Sequence, residues 1–117
     1  MALTLVCGSR FFVDYRFVCR ELTRHDVTAV VHGDCVGVDR LAGRYAREHG
    51  HPEIRVPANW DIYGSSAGPE RNQWMLDFTK VDRVIAFLGG SGTRNMMRLA
   101  RLAGVPVIRI KKDVSCG

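Results

Sequence analysis

With 117 residues, 46% of them hydrophobic, the chain is sized for one domain whose core needs no disulfide or metal staple. No apolar run approaches the ~20 residues that span a bilayer, which excludes a membrane partner. A net charge of +5, carried mostly by Arg, favours anionic partners, nucleotides as well as nucleic acids.

The start, Met1 to Val6, has neither the basic n-region nor the long h-region of a signal peptide, so a cytoplasmic location is expected. The cysteines at 7, 19, 35 and 116 show no CxxC or Cys/His ligand spacing, and no metal or cofactor is expected. Reduced thiols are the default without a secretion signal. Cys7 and Cys35 fall at predicted strand ends, as small apolar packing residues or as a redox pair.

Leu3 to Cys7 reads as a buried strand, and Gly8-Ser9-Arg10 follows at once. Asp14 is placed to cap a helix whose stripe of Phe17, Val18 and Leu22 runs to about Arg24. Val27 to His32, rich in β-branched residues, is the second strand; it ends in Gly33-Asp34-Cys35-Val36-Gly37-Val38-Asp39. A helix runs from there to about Glu48. Its apolar positions Val38, Leu41, Ala42, Tyr45 and Ala46 recur on one face, and Gly50 stands just past its end.

Glu53 to Val56 is a short third strand near an edge. Residues 57–68 lack any period and read as a long loop; Trp60, Ile62 and Tyr63 argue that it is functional rather than disordered. Pro69 suits the first position of the next helix, with Trp74, Met75 and Phe78 as its buried face. Arg71 shares that side and lies in the first turn, where a cation opposes the helix dipole. A bound anion removes that penalty; the alternative is an Arg snorkelling from the core edge.

Arg83 to Leu88 is the fourth strand, ending in Gly89-Gly90-Ser91-Gly92-Thr93. Thr93 is assigned as N-cap of a helix to about Ala103, with Met96, Leu99, Ala100 and Ala103 inward. Arg94, Arg98 and Arg101 form either a solvated face or a nucleic-acid stripe. Val105 to Ile110 is the last strand, at an edge because of Pro106. Residues 1–110 are then the domain and 111–117 a flexible tail.

Strands alternating with helices imply an α/β fold of three layers: a five-stranded parallel sheet, order 3-2-1-4-5, with helices on both faces. Ligands of such sheets bind beyond the carboxyl ends of the strands where the order reverses, here between the first and fourth strands. Three glycine-bearing strand ends converge there. A strand, a glycine loop and a helix start together suit a phosphate, because the backbone can approach closely and the first helical amides are free.

The candidate ligand set is drawn from these ends. Gly8, Ser9, Gly89, Gly90, Ser91, Gly92 and Thr93 would contribute backbone and hydroxyl groups. Arg10 and Arg71 would contribute charge-assisted bonds. Gly33, Asp34, Gly37 and Asp39 come from the second loop, and Asn72 from beside Arg71. Trp60 and Tyr63 are placed to cover a base, Trp60 alternatively to anchor its loop in the core. GxGxxG and Walker patterns are absent, as is a Ser-His-Asp order. His32 is either functional or a packed strand-end residue.

The blocks Gly8-Ser9-Arg10, His32-Gly33-Asp34-Cys35-Val36-Gly37-Val38-Asp39-Arg40-Leu41-Ala42, Pro57-Ala58-Asn59-Trp60, Ala67-Gly68-Pro69-Glu70-Arg71-Asn72-Gln73-Trp74-Met75 and Gly89-Gly90-Ser91-Gly92-Thr93 span nearly the whole chain. In order and spacing they resemble the YspA/cpYpsA-related branch of the SLOG superfamily, common in bacteria and their phages. The resemblance implies a Rossmann-like fold, a homodimer or larger assembly with Trp74 or Met97 in the interface, and the host cytoplasm if phage-encoded. The superfamily includes lonely-guy phosphoribohydrolases, the DNA-processing protein DprA, and domains proposed to sense nucleotide-derived ligands.

The enzyme branch carries Pro-Gly-Gly-x-Gly-Thr-x-x-Glu, whose Glu helps cleave an N-glycosidic bond. Here Leu88 replaces the Pro and Met96 the Glu; Arg71 matches the family's Arg, and Asn72 replaces its Lys. A thioether can neither stabilise an oxocarbenium nor move a proton. Asp34 and Arg71 remain as catalytic candidates, with Asp39 a further carboxylate; Asp39 has an ordinary role easing the helix dipole, and Asp34 one bonding nearby amides or a ribose hydroxyl. The expectation is binding or sensing of a nucleotide or nucleotide-derived phosphate compound. A nucleotide N-glycosidic hydrolase or transferase is the alternative, and nucleic-acid binding a further one, disfavoured by the spread of acidic residues.

Overall fold

Neighbouring side chains of a strand part to opposite faces, and that alternation divides the core in two. The computed structural model describes residues 2–111; residues 112–117, nearly all of the expected tail, lie outside the described residues. The strands are β1 (Thr4–Cys7), β2 (Val30–His32), β3 (Glu53–Arg55), β4 (Arg83–Phe87) and β5 (Val107–Ile110). The helices are α1 (Tyr15–Arg24), α2 (Val38–Glu48), α3 (Trp60–Tyr63), α4 (Ala67–Thr79) and α5 (Ser91–Leu102). The sheet is wholly parallel in the order β3-β2-β1-β4-β5, as the strand–helix alternation predicts.

Val6, Val30, Ile85 and Phe87 face α1 and α2, where they meet Phe17, Val18, Leu22, Ala42 and Tyr45. Their sequence neighbours Leu5, Val31, Val84 and Ala86 face the other way, onto Met75, Leu76, Met96 and Ala100 of α4 and α5. Leu5, Leu22, Ile85 and Phe87 are completely buried or nearly so. Each such side chain contributes about 1.5–3 kcal/mol relative to exposure. Among the described residues no helix is long and apolar enough to cross a membrane.

Local signals set the helix ends. Asp14 caps α1 by accepting from Phe17 N–H at 3.1 Å. Gly50, just beyond α2, has φ +68°, where a side chain would be strained.

Residues 57–68 differ from the expected loop. The segment folds as α3, a turn of 3-10 helix at Gly64–Ser66, and the start of α4. Asn59 Oδ1 accepts from Ile62 N–H at 3.3 Å, so a cap forms α3. None of its residues is buried, which is why no hydrophobic period marks it.

The buried face of α4 also differs. Met75 faces the core with Ala67, Asn72 and Leu76, whereas Trp74 is 47% and Phe78 66% exposed. The inward stripe passes through a polar residue, Asn72, so an apolar pattern alone points to the wrong side. Pro69 is the third residue of α4, not the first. Thr93 is the third residue of α5, buried, and Gly90 holds the N-cap position, so Thr93 does not cap this helix.

Candidate functional site

The chain leaves β1 toward one face of the sheet and β4 toward the other, so the strand order reverses between them, the place where sheets of this kind take ligands. The loop after β1 is stitched on both sides. Ser9 N–H donates to Leu88 O at 3.1 Å, and Ser9 O accepts from Val38 N–H, the first amide of α2, at 3.1 Å. Ser9 Oγ accepts from Phe11 N–H at 3.0 Å. The backbone of Ser9 is therefore engaged within the protein, while its hydroxyl accepts from Phe11 and has no acceptor for its own O–H among the described residues.

The candidate glycines divide into two kinds. A Cβ on Gly37 would strike the backbone of Ser9 and Arg10, and φ +91° there already demands glycine. Gly8 and Gly89 are likewise packed, Gly8 against Val38 and Phe87, Gly89 against Ser9 and Thr93. Around Gly90 and Gly92, by contrast, nothing lies within 4 Å of where a Cβ would stand. Their open face is the first turn of α5, where the amides of Ser91, Gly92 and Thr93 have no acceptor among the described residues. Arg10 is exposed on the adjoining loop, its guanidinium 4.8 Å from the centre of the Phe11 ring.

Asp39 stands in the first turn of α2, as expected, and has a further role that the sequence had suggested for Asp34. Asp39, nearly buried, accepts from Gly33 N–H at 3.0 Å and Cys35 N–H at 3.4 Å through one oxygen. Burial pushes its carboxyl above the ordinary range, against the bonds from these amides and the nearby His32 and Arg71. It is Asp39, not Asp34, that ties the loop amides. Asp34 stands at φ +59° with its carboxylate 3.5 Å from Arg40 Nε.

His32 is a packed residue, 1% exposed. Its Nδ1 accepts from Asp34 N–H at 2.9 Å, so the ring proton sits on Nε2, which donates to Glu53 Oε2 at 2.7 Å. Arg47 Nη1 donates to both Glu53 oxygens, at 2.7 and 2.8 Å. A Cβ on Gly43 would strike this pair, so Gly43 makes room for it. The chain Arg47–Glu53–His32–Asp34 holds the loop after β2. Sequence reasoning missed Arg47, Glu53 and Gly43; the usable signal was the acid on the neighbouring strand of a buried strand-end His.

Arg71 is committed too. Its Nη1 donates to Gly33 O at 2.5 Å and Val56 O at 3.3 Å, and its Nε to Asn72 Oδ1 at 2.9 Å. Nη2 lies 3.7 Å from Cys35 Sγ. Asn72, buried, donates to Asn95 Oδ1 at 2.9 Å and more weakly to Gly92 O at 3.4 Å, joining α4 to the first turn of α5. Cys7, Cys19 and Cys35 are free thiols, and burial pushes the Cys7 thiol well above its ordinary value.

Beside Arg71 lies a cavity of about 250 Å³, walled by Val56, Asn59, Tyr63, Glu70, Arg71 and Trp74. Trp60 is 58% exposed and does not anchor its loop in the core. Met96, in the family's catalytic Glu position, is 1% exposed and packs among Leu5, Met75 and Val84 under the sheet. Arg94, Arg98 and Arg101 are exposed on α5. Among the described residues no cluster of His, Cys, Asp and Glu could hold a metal ion.

These features define a doubly wound α/β domain built on a five-stranded parallel sheet. Residues 4–63 match the family model described as the YspA, cpYpsA-related SLOG family, and the chain belongs to that family. It is 40% identical to the Gene 61 protein of Mycobacterium phage D29, over 92% of this chain and 95% of that protein. Among solved structures it resembles MurG of Acinetobacter baumannii, with a TM-score of 0.57 and 16% identity. That likeness covers 97% of this chain but 36% of MurG, and shows the shared fold alone.

Proposed function

We propose that this protein binds a nucleotide or nucleotide-derived, phosphate-bearing small molecule at the carboxyl edge of its sheet. The observation that carries the reading is the first turn of α5. Three amides there have no acceptor among the described residues, and no side chain stands at the two glycines beside them. An anion at this point gains from both the free N–H groups and the helix dipole. Arg10, exposed on the stitched loop, adds a cation at the same rim.

Arg71 contributes indirectly in this reading: its guanidinium holds the ends of β2 and β3, and Asn72 beside it holds α5. Membership of the SLOG family supports a nucleotide-related ligand. The buried Met96 supports binding rather than lonely-guy hydrolysis, since no carboxylate stands at that position.

The test is calorimetry of the full chain with nucleoside monophosphates, ADP-ribose and cyclic nucleotides. Saturable heat is expected for at least one, and its loss in Ser91→Glu, which sets a carboxylate before the open amides. Absence of heat from the whole panel rejects the reading.

A further inference from the structure

We infer that the face formed by α5 and β5 is a docking surface for the phosphate backbone of duplex DNA, independent of the small-molecule reading above. The charge of the chain is divided along its length. Residues 1–82 hold ten Lys and Arg against eleven Asp and Glu, whereas no acidic residue occurs between Asp82 and Asp113. The net charge of +5 is thus carried entirely by the residues beyond 82. The acidic residues that argue against nucleic acid belong to other parts of the fold, α1 to α4 with their loops and strand β3.

The fold gathers this charge on one face. α5 packs on β4 and β5, with Thr93, Met96 and Ala100 turned inward and Asn95 meeting Asn72 of α4. At about 100° per residue, Arg94 and Arg101 fall on the other side of α5 from Asn95, toward the β5 edge, and Arg98 faces outward. On β5, Val107 packs with the core under α5, so Arg109, two residues on, shares that face, and Lys111 follows the strand. All five are exposed, and none has a hydrogen-bond or ion-pair partner among the described residues. By contrast Arg24, Arg40, Arg44 and Arg47 are each paired with an acid, and Arg83 donates to Thr4 and to His25 O. Arg10, Arg16 and Arg55 also lack an acid, but they stand singly on separate parts of the fold.

A row of unpaired cations repels itself, and a polyanion removes that repulsion. Arg94, Arg98 and Arg101 span about 10 Å of helix, the rise of about three nucleotides of one strand. Their guanidinium forks match phosphate oxygens. The rest of the face decides the kind of polyanion. The exposed aromatic rings, Phe11, Trp60, Tyr63, Trp74 and Phe78, all belong to other elements. Single strands are held by stacking on such rings, and protein partners and membranes by apolar anchors, so none of these fits. Duplex RNA is held partly through its ribose hydroxyls, whereas the outer row of α5 offers cations that only donate. A DNA duplex asks only for contacts to its phosphates, which this face supplies without reading bases.

The experiment is fluorescence anisotropy of a labelled DNA duplex of arbitrary sequence, titrated with the full chain at two salt concentrations. Affinity is expected to fall about a hundredfold between about 50 and 200 mM salt, the dependence of about four neutralised phosphates. The triple variant Arg94→Gln, Arg98→Gln, Arg101→Gln changes exposed helical positions to a good helix former, so it folds. It should weaken binding about tenfold or more and lower the salt slope by about 3. A matched variant, Arg16→Gln, Arg20→Gln, Arg55→Gln, has the same net charge but leaves the face intact, and should stay within about threefold of wild type. No binding at the lower salt, an equal loss in both triple variants, or tighter binding of single-stranded DNA, duplex RNA or phosphatidylserine vesicles overturns the assignment. Nucleotide binding at the carboxyl edge is read separately, by the calorimetric panel above.

Discussion

Arg71 and Gly33 occupy one another's space: the guanidinium Nη1 donates to the Gly33 carbonyl and stands where a Cβ on Gly33 would be. The Arg is a bracket between strand ends, and the glycine is bare so that the bracket closes. Arg71→Ala is expected to lower stability by about 2–3 kcal/mol, because hydrogen bonds from a charged donor contribute about 1.5–3 kcal/mol each. Arg71→Lys recovers less than half, since a point ammonium cannot reach two carbonyls and an amide oxygen in one plane. Gly33→Ala loses stability through the same bracket. Urea denaturation measures all three; an Arg71→Ala midpoint equal to wild type would show that the bracket carries nothing.

The acid limb of the stability curve follows from Glu53. Burial pushes its carboxyl up, but hydrogen bonds from His32 and Arg47 outweigh that and hold it below the ordinary value. An acid depressed in the folded state adds stability above its unfolded value, near 4.5, and loses it as pH falls through the folded value. Between about pH 5 and pH 3, wild type should therefore lose stability more steeply than Glu53→Gln. Parallel thermal-melt curves for the two over that window would remove Glu53 from the account.

Met96→Glu restores the family's carboxylate in sequence but not in space. The side chain at 96 points into the core under the sheet, so the new carboxyl would be buried among Leu5, Met75 and Val84. The variant is expected to be destabilised by at least about 3 kcal/mol and to release no free base from nucleotides. Detectable base release above the level of wild type would contradict this placement.

Ser91→Glu separates folding from binding. An acidic residue in the first turn of α5 eases the helix dipole and should raise stability by about 0.3–1 kcal/mol. The same charge repels a phosphate, so binding should disappear while the melting temperature holds or rises. Retained binding in this variant places the anion elsewhere.

Much of the fold was legible because the two core faces were written as alternation within each strand. Leu5 and Val6, or Val84 and Ile85, go to opposite sides, and both must be apolar when helices cover both faces. The helix stripes of α1 and α2 were legible for the same reason. The α4 face was not, because its inward row includes Asn72, whose role depends on Asn95 across the packing interface. Nor was α3, which is made by the cap at Asn59 rather than by burial. Within the candidate site, convergence of three strand ends could be read from topology. Which glycines seal a seam and which leave a face open could not, because that depends on contacts between residues far apart in sequence, such as Gly37 with Ser9.

Ser9 is bonded to the end of β4 on one side and to the start of α2 on the other. That double attachment makes the β2–β1–β4 rim a fixed plate, with no slack for a visiting molecule to take up. Accommodation then falls to the opposite wall, residues 57–66, where α3 buries none of its side chains and closes with a single amide cap. On the phosphate-binding proposal above, relatives that keep the plate and vary this wall would recognise different visitors with the same grip on the charged end.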